Sequence, residues 1–150
     1  MSDKSSVGQL GRRIKMLSVL ADKRLNNNLD SLGIGLTSNQ VAVMMALHEK
    51  QHDEVTQKQI ETFLRLSHPT TRGIIKRLDS GGLITTSVSS GDRRQVVLSL
   101  TKLGQDFLDK NINRIQDQLG AIEKQLTNGI SSSEQELFQE ILVKMIKNMQ

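Results

Sequence analysis

Arg72, Lys76, Arg77, Arg93, Arg94 and Lys102 lie between positions 67 and 102, a stretch whose only acids are Asp79 and Asp92. Guanidinium and ammonium groups at that density pair with phosphate oxygens, and a planar guanidinium can also grip a base edge with two hydrogen bonds. Ser67, Thr70 and Thr71 add hydroxyls to the same stretch, and His68, Pro69 and Gly73 stand among them. The chain carries a formal net charge of +4, and residues 103–150 hold more acids than bases. Beyond the first third, the basic surplus is therefore confined to this segment, where a phosphate backbone is expected to dock.

Other chemistries find little support. There is no cysteine, which removes disulfides and thiolate metal sites and is compatible with a reducing compartment. His48 and His52 have the i, i+4 spacing of a metal pair, with Asp53 and Glu54 following, but no third and fourth ligand can be named, so no metal or other cofactor is expected. The three histidines, at 48, 52 and 68, do not form a catalytic set, and no nucleophile–base arrangement or phosphate-cradling glycine loop accompanies them. An enzyme is not expected. Met44-Met45 reads as core. Apolar runs such as VAVMMAL are far shorter than the ~18 residues of a membrane span, and MSDKSSVGQLGRR lacks an apolar signal segment. The expectation is a cytoplasmic protein with no membrane partner.

The elements that must position the cations follow from periodicity. Val7, Leu10, Ile14, Leu17 and Ala21 form one helical stripe, which Asn26-Asn27-Asn28 and Gly33-Ile34-Gly35 should interrupt. Thr37-x-x-Gln40 and Thr56-x-x-Gln59 are capping boxes that open two further helices. Ser67 is a good cap for a fourth, with Pro69 in its first turn. That helix puts Thr71, Ile74, Ile75 and Leu78 inward and leaves His68, Pro69, Arg72, Gly73 and Lys76 on the other side, until Gly81-Gly82 stops it. The strand-like runs LITTSV and QVVLSL then flank the loop SSGDRRQ, with Val96, Leu98 and Leu100 expected on one face. Helix, Gly-Gly and a basic-tipped hairpin in that order describe a winged helix.

After Thr101, the residues Leu108, Ile112, Ile115, Leu119, Ile122 and Leu126 recur at steps of four and three, a seam that packs along another helix. No other stretch is clearly long enough to cover all of it, so a second subunit is expected. Ser133-x-x-Glu136 reads as the cap of a last helix whose apolar face holds Leu137, Phe138, Ile141, Met145 and Met149.

Leu36 to Gln40 (LTSNQ), Leu66-Ser67 with Pro69-Thr70, Leu78 with Gly82-Leu83-Ile84, Asp92-Arg93-Arg94, and Leu100-Thr101 with Gly104 together resemble the MarR family of bacterial transcription regulators. The resemblance extends over essentially the whole chain. It implies one mainly α domain over residues 1–150: a winged helix-turn-helix at roughly 36–101 with a small antiparallel β-hairpin, flanked by dimerisation helices at roughly 7–29 and 102–150. It also implies a homodimeric repressor on near-palindromic double-stranded DNA. The fourth helix would lie in the major groove and Arg94 in the minor groove, with Asp92 holding the Arg94 guanidinium.

The DNA-facing set so implied is Ser67, His68, Pro69, Thr70, Arg72, Gly73, Lys76, Arg77, Asp92, Arg93 and Arg94. The dimer set is Leu10, Ile14, Leu17, Ile112, Ile115, Leu119, Ile122, Leu126, Ile141 and Met145. Family members take small anionic or phenolic effectors between the dimer helices and the winged part, but no residue here names a ligand. Against the family pattern, Glu61 stands where Ala is common and Arg65 where Gly is common. The competing expectation is a winged module that holds a protein partner and does not read DNA.

Overall fold

A computed structural model describes residues 8–150, so the expected helix start at Val7 lies outside the described residues. The order is α1 (Gln9–Ser31), α2 (Ser38–Glu49), β1 (Val55–Thr56), α3 (Gln57–Leu64), α4 (His68–Ser80), β2 (Ile84–Val88), β3 (Val96–Leu100), α5 (Lys102–Leu126) and α6 (Ser132–Asn148). The chain is mostly helical with a small antiparallel sheet, as expected of a winged helix.

Two of the three predicted capping boxes form as expected. Thr37 and Thr56 each accept from the backbone N–H three residues on, while Gln40 and Gln59 reach back to the cap N–H. At the last helix the box is Ser131 with Glu134, not Ser133 with Glu136. Three consecutive serines precede two glutamates spaced by two, so either register satisfies the motif, and the helix takes the one that starts it two residues earlier. The asparagine run also departs from expectation, because α1 continues through Asn26-Asn27-Asn28 to Ser31. Asn26 Oδ1 accepts the Ser38 N–H at 2.7 Å, and Leu29 is fully buried, so a tertiary hydrogen bond and core burial outweigh a weak helix propensity.

Arg65 ends α3 with φ +54°, the left-handed conformation at the helix end where the family pattern often has Gly. For a residue with a Cβ that conformation costs about 1–2 kcal/mol. It turns the chain directly into α4.

The sheet has three strands in the order β1-β3-β2, one more than the expected hairpin. In β3 the buried residues are adjacent, Val97 and Leu98, rather than alternating. They are the two paired with β1 on one side, at Thr56 and Val55, and with β2 on the other, at Ser87 and Thr86. Cross-strand neighbours on both sides cover them, whereas Val96 lies beyond the end of β1 and stays exposed.

One core joins α2, α3, α4, the sheet and the start of α5, through Val43, Met44, Leu47, Ile60, Ile74, Ile75, Leu78, Ile84, Leu98 and Leu108. A second holds Leu29, Ile34, Val41 and Ile115. Ile115, expected on the dimer seam, is 1% exposed, since α1 and the start of α2 of the same chain close over it. Part of the heptad stripe thus serves the chain's own fold, and α1 is the covering helix that the sequence did not reveal. Arg114 Nη2 adds to this joint by donating to the Leu32 carbonyl at 2.7 Å.

Candidate nucleic-acid interface

Helix α4 is amphipathic in the expected sense. Thr71, Ile74, Ile75 and Leu78 are buried, while Ser67, His68, Pro69, Thr70, Arg72, Gly73, Lys76 and Arg77 are exposed. Two of the hydroxyls are committed locally: Ser67 Oγ accepts the Thr70 N–H and donates to Thr70 Oγ1 at 2.8 Å. Thr71 points inward, donating to the Ser67 carbonyl at 3.0 Å. Gly73 faces open space, and a Cβ built there would meet none of the described residues within 4 Å. Gly82, at φ +72°, ends the helix by letting Leu83 N–H return to the Leu78 carbonyl at 3.0 Å.

The cations separate into two groups. Lys102 gives its ammonium to Asp106 at 2.7 Å and so turns along its own helix. Arg72, Lys76, Arg77, Arg93 and Arg94 have no ion-pair partner among the described residues, and all five are exposed. Exposed cations without internal partners are free to neutralise an external polyanion.

The wing, residues 89–95, is held from below. Ser89 Oγ donates to Glu54 Oε2 at 3.0 Å, and Ser90 donates to Glu54 Oε1 through its N–H at 3.2 Å and its hydroxyl at 2.9 Å. These bonds, led by the Ser90 backbone N–H, hold the Glu54 carboxyl below its ordinary value. At the tip, Asp92 Oδ1 accepts the backbone N–H of Arg94 at 2.9 Å. The expectation that Asp92 holds the Arg94 guanidinium is therefore corrected, because a side chain this short closes a turn on the amide two residues on. The guanidinium itself is left outward.

A third cluster joins the two helices of the helix-turn-helix. His68 Nδ1 lies 2.5 Å from Glu61 Oε1, and Gln57 Nε2 donates to the same oxygen at 3.0 Å. The Gln57 hydrogen bond is the main influence holding the Glu61 carboxyl below its ordinary value, with His68 contributing. Neither Glu54 nor Glu61 was legible as a site residue. Glu54 meets partners 35 and 36 residues away, Glu61 meets His68 only because the turn at Arg65 brings α4 back to α3, and Glu54 stood out only as a neighbour of His52. His48 does not pair with His52; its Nδ1 lies 3.2 Å from Gln105 Nε2. Among the described residues no three His, Asp or Glu side chains gather as metal ligands.

Away from this face, the flanking helices expose apolar side chains. Leu10, Ile14, Leu17, Leu119, Leu126 and Ile141 are exposed, and Ile112, Ile122 and Met145 are half-buried. Helix α6 has no buried residue, although Leu137, Phe138 and Ile146 are each at least half exposed. Leu17, Leu20 and Ala21 of α1 form an apolar groove with Ile122 and Leu126 of α5. No described helix is long and apolar enough to cross a membrane.

This geometry has known counterparts. The MarR family profile matches residues 34–95, the span from the loop before α2 to the end of the wing. The HTH-type transcriptional repressor NicR of Pseudomonas putida is 35% identical over 77 residues, which take in 51% of this chain and 48% of that protein, so the match spans about half the length of that relative. Among solved structures, a probable transcriptional regulator from Pseudomonas aeruginosa is 26% identical, with a TM-score of 0.73 over 91% of this chain and 96% of that one. A mutant of E. coli MarR complexed with operator DNA superposes with a TM-score of 0.77 at 23% identity, over 96% of this chain and 99% of that one, a likeness of fold. Over its winged segment, residues 34–95, this chain is similar to the MarR family of transcription regulators.

Proposed function

We propose that the chain is a homodimeric repressor that reads double-stranded DNA, with α4 in the major groove and the wing, Arg94 foremost, in the adjacent minor groove. The observation that carries this is the set of five cations on α4 and the wing with no ion-pair partner among the described residues. They stand on two elements fixed by the core and by Glu54. Arg72 is long enough to grip a guanine edge, a contact worth about 1–3 kcal/mol of discrimination. Lys76 and Arg77 neutralise phosphates, and Thr70 is the better placed hydroxyl for a phosphate oxygen. That a MarR-fold relative is solved on operator DNA and that a curated relative is named a repressor both support the reading.

The dimer follows from the exposed apolar faces of α1, α5 and α6, whose burial against a second copy would remove them from water. Two copies set two α4 helices at a fixed separation, which requires a near-palindromic site with half-sites about one helical turn apart. A small-molecule effector seated between the dimer helices and the winged part would change that separation and release the DNA.

Selection of bound sequences from random duplex DNA tests the reading. A two-fold-symmetric motif is expected. Recovery of no enriched sequence, with binding to a protein partner instead, would replace it by the interaction-module reading.

A further inference from the structure

His68 is the first residue of α4, and N-terminal residues of a recognition helix contact base edges. Its ring is held by Glu61 of the preceding helix. The 2.5 Å approach of Nδ1 to Glu61 Oε1 requires the proton to sit on Nδ1, because a carboxylate oxygen only accepts. Gln57 Nε2, 3.3 Å from the same ring nitrogen, cannot supply that acceptor and instead donates to Glu61. The side chain of His68 remains 65% exposed, so Nε2 is the nitrogen left for DNA. Lys58 and Glu61 of α3 and Arg94 of the wing line the recess at this ring, and Arg72 follows one turn along α4.

We propose that Glu61 is a positioning residue that fixes the His68 tautomer, so that His68 Nε2 is a specificity-determining group at one base of the operator. In the neutral ring Nε2 is an acceptor, suited to the exocyclic amino group of adenine or cytosine in the major groove. With the proton on Nε2 instead, it is a donor, suited to the N7 and O6 acceptors of guanine. Without Glu61, Nδ1–H loses its carboxylate acceptor and the ring is free to carry its proton on Nε2, so the preference at that base moves to guanine. The inference rests on the DNA-reading proposal for its consequence, but not for its tautomer.

Two measurements test it on the full chain. Imidazole nitrogen NMR of the free protein at about pH 8, above the ordinary histidine range, should show His68 mainly as the Nδ1–H tautomer, with the signal assigned by its loss in His68→Gln. Glu61→Ala should shift that signal to the Nε2–H tautomer; an Nε2–H signal in the wild type, or no change in Glu61→Ala, overturns the proposal. Sequence selection at about pH 8 with the wild type and with Glu61→Ala should then show one column moving from adenine or cytosine to guanine, by roughly threefold to tenfold for a single hydrogen bond.

In the His68→Gln background, Glu61→Ala should leave that column unmoved. An enriched motif with no column that differs between the wild type and Glu61→Ala overturns the inference while leaving DNA reading intact. No enriched motif with either protein overturns both.

Discussion

Ser90 fastens the wing to Glu54 twice, giving Oε1 its backbone N–H at 3.2 Å and its hydroxyl at 2.9 Å. Arg93 and Arg94 lie three and four residues beyond that anchor, so their aim depends on a carboxylate in the segment before β1. Glu54→Gln keeps the shape and removes the charge. A severalfold loss of DNA affinity is expected, with α-helical content unchanged by circular dichroism. The pH dependence has a definite sign. The folded-state carboxyl is held below 4.5, so its stabilisation is complete above that value and is lost as pH falls through the lower folded value. Melting curves between about pH 6 and about pH 3 should therefore decline less steeply in Glu54→Gln than in the wild type.

Gly73 separates stability from function. A Cβ there meets nothing among the described residues within 4 Å, so Gly73→Ala should stabilise α4 by up to about 1 kcal/mol and raise the melting temperature by a few degrees. If α4 approaches the groove closely at this point, the same variant binds DNA more weakly. Calorimetry and a binding titration on one preparation check both; equal or tighter binding would remove close approach as the reason for the glycine.

Gly104 is the opposite case. A Cβ would fall 2.0 Å from the Leu83 carbonyl oxygen, because α5 starts against the turn that follows α4. Thr101 locks the same contact, donating to the Gly82 carbonyl at 2.5 Å and accepting from the Gly104 N–H at 3.0 Å. Gly104→Ala should cost about 1–3 kcal/mol or more through forced backbone displacement, measured by urea unfolding. Wild-type stability would mean that α5 does not pack here.

The apolar flanking helices give a further test. Leu17→Glu with Ile141→Glu places charges on two exposed faces that have no role in the chain's own core. Sedimentation equilibrium should find the wild type at twice the chain mass and the double variant at the chain mass, with the helical spectrum retained. A wild-type monomer at micromolar concentration contradicts the dimer.

Much of this was legible from local signals. Thr37 with Gln40, Thr56 with Gln59, and Ser67 with Pro69 fix three helix starts through residues no more than three apart. The inward set of α4 followed from its period alone. What escaped depends on distant partners. Val55–Thr56 becomes a strand only because Val97 and Leu98 pair with it, and two residues carry no periodicity. Asn26 belongs to a helix because Ser38 needs its oxygen. Glu54 and Glu61 look like ordinary surface acids until the fold brings Ser90 and His68 to them. The division of the α5 stripe between Ile115, taken by the chain's own core, and Leu119, left outside, depends on where α1 crosses it.

The most direct test of DNA reading is the affinity for the selected duplex of the wild type, Arg72→Ala and Arg94→Ala, each measured across a salt series. Arg72→Ala should lose about 1–3 kcal/mol, some fivefold to more than a hundredfold, and relax the preference at one base. Arg94→Ala should weaken binding and lower the slope of log affinity against log salt by about one. Unchanged affinity and salt dependence in both variants would contradict the assignment of α4 and the wing to DNA.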